Sequence, residues 1–582
     1  MTSSSANPFK GHRFHVVKKH AEDLASSIAS SDGKAKDNLK RMSNVASAFW
    51  IDSKARIENG TNTVEAVLAS AASKVPPELV VLIWYDLPNR DCNAYSSAGE
   101  ICCTTLPNGT CDYEQSGDCS GGIEEYKRGF VDPIIRQLKK YEIVPTVVVM
   151  EPDSIPNMAT NFKHPRCGNL ATLTAYSEGV KYALNQLTVE APRVAVYLDA
   201  AHGGWLGWED NLEQFMKIVK EMKLPMKQLR GFATNVANYQ PLGFQCPFQP
   251  DDGFRNSYCL NHRHQSDPCC ADPCRLEGKW NPGNNELNFA QDLVMAARAM
   301  FDMDAYVIID TGRNGISDSG SHCENTCNPR GAGAGVPSTV DVANSTFVDA
   351  YFWLKTPGES DGCGGATSRM RGGGVPTCSR PDVRCSHKGS LGARDWEAFA
   401  PEAGVWYDFQ AKQLAENAHF ETPVPLVCVK AYQQCGGRLF NGSTCCKGSC
   451  RCQYINQWYS QCVPNAGGWQ CVDEPMDSMS DSWNGVLVRD EERAHAPAAA
   501  SPRAMVKDFG FAIFSGLVVL ISLSAVVRTF TRQACGSRRI VEVVRSRGAP
   551  QERTIRREAG GFEDYLHLQE KMQALPSSER EM

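Results

Sequence analysis

A parallel α/β fold, either a β/α barrel or a doubly wound sheet, is predicted by three features of the chain. Short, nearly continuous apolar and β-branched runs recur, as in strands buried on both faces. Seven precede residue 360: Ala46–Ile51, Leu79–Tyr85, Val144–Met150, Val194–Leu198, Gln228–Thr234, Ala305–Ile309 and Ala350–Leu354. Helical periodicities alternate with them, one striped by Ile123, Tyr126, Phe130, Ile134 and Leu138. Leu173, Tyr176, Val180 and Leu184 make another such stripe. That alternation is the signature of a parallel sheet with crossover helices.

The third feature carries chemistry. Several runs stop at a carboxylate: Leu79–Tyr85 at Asp86 with Asp91 beyond, Val144–Met150 at Glu151-Pro152-Asp153, Val194–Leu198 at Asp199, and Ala305–Ile309 at Asp310. Ligand sites of parallel α/β folds lie at the carboxyl ends of the strands. The acids therefore ring one mouth, suited to acid/base work on a neutral, oxygen-rich substrate. An Asp at a strand end serves equally well as the N-cap of the next helix. Asp153 follows Pro152 at a buried strand end, where desolvation raises a carboxyl pKa. Asp91, beside Arg90, is expected to stay ionised. Two carboxyls in opposite protonation states are what cutting a glycosidic bond requires.

At 582 residues the chain has room for more than one folded unit. A net charge of −6 without a basic face argues against a nucleic-acid partner. The 25 cysteines are too many for an ordinary cytosolic enzyme. Their doublets, Cys102-Cys103, Cys269-Cys270 and Cys445-Cys446, are not metal-type CxxC pairs and no His cluster accompanies them, so neither metal nor cofactor is expected. A disulfide framework in an oxidising compartment fits better, and sequons at Asn59, Asn108, Asn344 and Asn441 agree.

Beyond the strands, the cysteine-rich stretch Val427–Cys471 forms a separate stapled unit, and Glu474–Arg503 reads as a stalk. Phe509–Val527 is an uncharged run of bilayer-spanning length, followed by Arg528, Arg532, Arg538 and Arg539. It predicts a single transmembrane helix with a lipid-bilayer partner, the large domains extracellular or lumenal, and a cytoplasmic C-terminus. Cys535, the one cysteine after the run, is a candidate for palmitoylation or a free thiol. Met1–Phe9 lacks the basic start and apolar core of a signal peptide, and a truncated start is the expectation. The expected units are 1–426 catalytic, 427–471 stapled module, 472–508 stalk, 509–527 span and 528–582 tail.

Six motifs resemble glycoside hydrolase family 6, in that family's order: Tyr85-Asp-Leu-Pro-Asn-Arg-Asp-Cys92, Glu151-Pro-Asp-Ser154, Tyr197-Leu-Asp-Ala-Ala-His202 with Gly204-Trp-Leu-Gly-Trp208, Ala233-Thr-Asn-Val-Ala-Asn-Tyr239, Asp310-Thr-Gly-Arg313, and Lys355-Thr-Pro-Gly-Glu-Ser-Asp361. The resemblance implies a distorted seven-stranded β/α barrel that hydrolyses β-1,4-glucan with inversion. By the same resemblance Asp153 is the general acid. Asp91 supports that acid and relays the water's proton, Asp361 is the other candidate base, and Asp199 is a further acid of the site. Tyr85 distorts the scissile sugar and Ser97 positions water. Trp50, Trp205 and Trp208 are stacking platforms, and His202, Asn238, Lys355 and Glu359 are polar subsite contacts. The implied disulfides are Cys92–Cys167 and Cys327–Cys385. Asp86 and Asp310 fall to structural roles.

The chain departs from the pattern at Thr326, where chain-end-acting members carry a tryptophan, so one sugar platform is lost. The long segment 362–402 resembles loops that roof the cleft into a tunnel and favour cellobiose release from chain ends, whereas open clefts favour internal cuts. Tyr432-Gln-Gln-Cys-Gly-Gly437 and Asn456-Gln-Trp-Tyr-Ser-Gln-Cys462 resemble the fungal-type family 1 cellulose-binding module. That resemblance implies a small β unit with a cellulose-binding face of Tyr432, Trp458, Tyr459, Asn456 and Gln461, and disulfides Cys435–Cys452 and Cys446–Cys462. Cys428, Cys445, Cys450 and Cys471 are extra, with pairing open.

Overall fold

The computed structural model describes residues 6–421 except 115–116, 248–257, 261–264, 266, 273–279, 318–325, 343–346, 365–377 and 386–398, and then 430, 432–436, 450–456 and 459–464. Consecutive apolar side chains need cover on both faces of a sheet. Seven parallel strands supply it, paired in chain order: β1 (Phe49–Ile51), β2 (Val80–Trp84), β3 (Thr146–Met150), β4 (Ala195–Asp199), β5 (Gly231–Thr234), β6 (Tyr306–Asp310) and β7 (Val348–Phe352). Side chains alternate between two cores. Val81, Ile83, Val147, Val149, Tyr197 and Ile308 pack inside the sheet's curve around Phe9. Leu82, Trp84, Val148, Met150 and Leu198 pack outward against helices.

The ring is a half-barrel. No ladder joins β1 to β7; the approach between them is one bridge, Ser47 to Trp353, with Ala48 N–H donating to the Trp353 carbonyl at 2.9 Å. β4 and β6 run one residue further than expected, to Asp199 and Asp310. β7 lies two residues earlier than expected. The apolar pattern missed its start because Asp349 interrupts it. Buried mid-strand, Asp349 is held by the Arg230 guanidinium at 2.7 Å and the Tyr197 hydroxyl at 2.6 Å.

Both helical stripes are buried. From Tyr126 onward the first repeats at intervals of four, wider than the 3.6 residues of an α-turn. The helix accommodates this with a π-turn at Tyr126–Val131, between α-segments Ser120–Glu125 and Asp132–Lys140. The second stripe lies on Leu170–Glu190.

Cysteines pair as Cys92–Cys167 and Cys327–Cys385, closing separations of 75 and 58 residues. In the chain-entropy model each such link is worth about 4 kcal/mol. The insertions are stapled by Cys102–Cys111, Cys103–Cys119, Cys246–Cys269, Cys259–Cys270 and Cys363–Cys378.

A second, antiparallel sheet has the order β8 (Gln434–Gly436), β10 (Tyr459–Pro464), β9 (Cys450–Asn456). Ser460 and Cys462 of β10 are buried, while Tyr459 and Gln461 alternate with them toward the outside. Tyr432 is half-exposed and Asn456 exposed. Cys450 and Cys462 each take part in a disulfide. Trp458, Cys446 and the side chains of Cys435 and Cys452 lie outside the described residues, so the two expected module pairings do as well.

The membrane expectation is corrected. Among the described residues no helix is long and apolar enough to cross a membrane. Leu170–Glu190 has the length, 21 residues, but carries Glu178 and Lys181 and packs within the domain. Residues 509–527 lie outside the described residues. The transmembrane helix, the bilayer partner and the single-pass localisation are withdrawn.

Candidate active site

The strand ends open into a cavity of about 910 Å³. Asp153 enters it from the β3 end in the left-handed region, at φ +63°. Such a backbone costs on the order of 1–3 kcal/mol and persists where the surroundings impose it. Asp153 precedes the helix Ser154–Thr160, but its side chain makes no capping bond. The capping alternative therefore falls, and the carboxyl faces the cavity. Burial, then the neighbouring charges of Asp91 and Asp199, push its pKa well above the carboxylate range, with Arg384 opposing. Asp153 is thus the group that keeps its proton.

Asp91, also left-handed at φ +55°, accepts hydrogen bonds from the Tyr85 hydroxyl at 3.0 Å and from the Ser97 hydroxyl. Arg90 does not serve it as adjacency suggested. Its guanidinium turns to Asp86 at 3.3 Å, donates to the Tyr85 carbonyl and lies 4.4 Å over the Tyr85 ring. Neighbouring side chains diverge here, and Arg90 fixes Tyr85 instead.

Asp199 does not line the cavity. It lies buried behind Asp153, accepting from the backbone N–H of Asp153 at 2.9 Å and of Ala201 at 3.1 Å. Burial raises it to about 7, against those hydrogen bonds. Asp361 is committed: Arg313 meets Oδ1 at 2.6 Å, and Tyr239 OH at 2.5 Å and Asn328 N–H at 2.9 Å meet Oδ2.

The other expected residues share the same cavity: Trp50, Ser97, His202, Trp205, Trp208, Asn238, Lys355 and Glu359. Each tryptophan is half-buried with its indole N–H satisfied, by the Leu354 carbonyl, Thr160 Oγ1 and the Gly204 carbonyl respectively. Their polar edges are thus pinned to protein, which suits a ring face offered to a sugar. Lys355 pairs with Glu359 at 2.8 Å and lies 5.0 Å over Trp50. Burial lowers His202 to about 3, so its imidazole is neutral. Thr326 also lines the cavity.

The Asp86 carboxylate pairs with the Arg90 guanidinium, while Asp310 organises backbone. Asp310 accepts from the N–H groups of Gly312, Ala237, Leu354 and Lys355, which ties the β6 end to the β7 end. Further buried acids support the site, Glu151 from the strand-end row and others from outside it. Glu151 accepts from Tyr126 OH at 2.6 Å and from the N–H of Asp86 at 3.1 Å, and burial raises it to about 7. Glu286 receives the Gly203 N–H at 2.8 Å beneath the tryptophan loop, and burial raises it to about 8. Asp382 and Arg384 line the cavity from the far end of the domain. Glu286, Asp382 and Arg384 lie in no strand-end motif, so no local signal marked them. Arg313 sat in a quoted motif, but its partner Asp361 is 48 positions away.

Comparison with known proteins accords with this geometry. The family model described as "Glycosyl hydrolases family 6" matches residues 9–418, and "Fungal cellulose binding domain" matches 431–459. The chain is 33% identical over 428 residues to "Probable 1,4-beta-D-glucan cellobiohydrolase C" of Aspergillus terreus, covering 72% of this chain and 77% of that one. It is 31% identical over 423 residues to "Exoglucanase 3" of Agaricus bisporus, covering 72% and 80%. Among solved structures, the catalytic core domain of the cellobiohydrolase Cel6A from Chaetomium thermophilum is 30% identical with a TM-score of 0.54, covering 71% of this chain and 99% of that one. With its family model spanning most of the chain and its acids gathered at the strand ends, the protein belongs to glycosyl hydrolases family 6.

Proposed function

We propose that this protein hydrolyses β-1,4-glucosidic bonds of cellulose with inversion, releasing cellobiose from chain ends. The observation that carries the proposal is the pair of carboxyls facing one cavity, Asp153 held protonated and Asp91 held by two hydroxyl donors. In this mechanism Asp153 protonates the leaving glycosidic oxygen. Water attacks the anomeric carbon from the opposite face, and its proton passes through Ser97 to Asp91. Asp361 already accepts from Arg313, Tyr239 and Asn328, so it fixes the field of the site rather than taking the proton. Tyr85, clamped by Arg90, presses on the scissile ring. Trp50, Trp205 and Trp208 carry successive glucose faces, with His202, Asn238, Lys355 and Glu359 on the hydroxyls. Tyr432, Asn456, Trp458, Tyr459 and Gln461 bind cellulose and keep the catalytic domain near its substrate.

Chain-end action is favoured by the two loops that wall the cavity. Tyr95 N–H donates to Asp382 at 3.0 Å, and Arg380 donates to the Ala98 carbonyl at 2.8 Å, so the loops are joined. An endo-acting enzyme on the same site is the second reading, favoured by Thr326 in place of a sugar platform. Amorphous cellulose is the test substrate. Cellobiose with the α-anomer formed first, and little viscosity loss on a soluble derivative, is the expected result. Mixed longer products with a rapid viscosity drop would select the endo reading, and β-anomer product would overturn inversion.

A further inference from the structure

The loop 91–98 carries both Asp91 and Ser97; beside the Cys92–Cys167 disulfide at its start and the Arg90 bonds to the Ser97 and Ala98 carbonyls, the distant segment 378–385 holds its middle. Cys363–Cys378 and Cys327–Cys385 anchor that segment at its two ends. Within it, Arg384 forks onto Asp382, with Nε to Oδ1 at 3.1 Å and Nη2 to Oδ2 at 2.8 Å. The pair then grips the loop backbone twice. Arg384 Nη2 donates to the Asn93 carbonyl at 3.0 Å, and Asp382 Oδ2 accepts the Tyr95 N–H at 3.0 Å. On its other flank Tyr95 stacks on the Arg166 guanidinium, which is 4.0 Å from the Tyr95 ring and 4.0 Å from Tyr113.

We propose that Arg384 is a positioning residue: with Asp382 it latches the 91–98 loop in its working place and sets a fixed positive charge beside Asp91 and Asp153. The inference rests on those two acids being the reacting pair. Arg384 lines the catalytic cavity. A planar, permanently charged fork is needed to hold a carboxylate with two bonds and still reach a carbonyl, which a lysine cannot do. The Asp382 carboxyl bears the mark of this grip. Burial pushes it up, but the bonds and charge of Arg384 outweigh that and hold it at about 2. The groups facing Asp153 are Tyr85 and Asp91 from the β2 end, Asp199 from the β4 end and Arg384 from the segment above. Arg384 is the one cation among these. It moderates a pKa that burial and two acids drive upward, so that Asp153 can release its proton within a turnover as well as hold it.

The test compares Arg384→Ala and Arg384→Lys with wild type on a soluble β-1,4-linked glucose tetramer across pH. In the alanine variant kcat/KM is expected to fall about tenfold from loss of loop alignment. Its alkaline limb, which reports the acid that must stay protonated, is expected to move up by roughly half a pH unit. Arg384→Lys should return the limb to its wild-type position while KM stays raised. An unmoved limb in Arg384→Ala would overturn the electrostatic role, whatever the rate. The latch is read separately by hydrogen exchange, which needs no turnover: amides of segment 93–98 should exchange about tenfold faster in Arg384→Ala and in Asp382→Asn. Unchanged exchange in both variants would overturn the latch. Failure of the proposed reaction would show instead as a wild type inert on the tetramer, with the exchange result still standing.

Discussion

At the residue scale, Asp153 is the most consequential side chain. Asp153→Asn keeps the shape but cannot deliver a proton, and a loss of about 10²–10⁴ in sugar release is expected. Adsorption to cellulose should be unchanged. Near-wild-type turnover by this variant would remove Asp153 from the mechanism. Arg313 is a second informative residue because it is fully buried and neutralises Asp361 at 2.6 Å. Truncating one member of such a pair leaves the other charge without its partner. Arg313→Ala is expected to lose about 3–5 kcal/mol of stability in a denaturant titration, along with activity.

At the element scale, the loop after β4 shows how backbone, rather than side chain, sets the place of Trp205, the sugar platform proposed above. Gly203 lies so close to the neighbouring chain that a Cβ there would fall 2.2 Å from the Gly283 carbonyl oxygen. Two backbones cannot give way cheaply. Gly203→Ala is therefore expected to push the loop outward, displacing Trp205 and costing roughly 1–3 kcal/mol. Thermal melts and KM on the glucose tetramer would both register it. A variant with wild-type values in each would show that the loop absorbs the methyl. The apolar runs were legible as strands because burial on both faces leaves a continuous pattern. Asp349 hid the start of β7 since its charge is answered by Arg230, which enters from the β4–β5 connection 119 positions earlier.

At the scale of the whole molecule, several buried acids share one pH dependence. Burial raises Asp310 to about 6, Glu151 and Asp199 to about 7, and Glu286 to about 8, from ordinary values of 3.8 or 4.5. Each is protonated in the folded state at pH values where the unfolded chain has released its proton. Stability from these groups is fully present below the ordinary carboxylate pKa and is lost as pH rises through 6 to 8. The melting temperature is accordingly expected to fall from pH 5 to pH 8, and Glu286→Gln should flatten the upper part of that slope. A melting temperature that rises across this window would contradict the assignment. Asp382, lowered to about 2, acts oppositely and withdraws stability only in strong acid. Removing residues from 427 onward tests the module: turnover of the soluble tetramer should persist while adsorption to cellulose falls.

The amino-acid sequence alone determined the strands, the helical stripes, the row of acids and, through long motifs in order, the family. These are local properties, written in side-chain spacing and burial pattern. Tertiary structure decided which acids face the cavity and which donors each one meets. Asp153 was separated from Asp199 by access to the cavity, and Asp91 from Asp361 by how many donors each already serves. Arg90 turned from its neighbour Asp91 to Asp86, and Arg384 came to the catalytic loop from nearly 300 positions away. A carboxyl's protonation depends on what surrounds it in space, and a chain folded into a half-barrel sets those surroundings by contacts that no local spacing records. The apolar run at 509–527 marks the same boundary from the other side, since composition alone supported a span that no described helix provides.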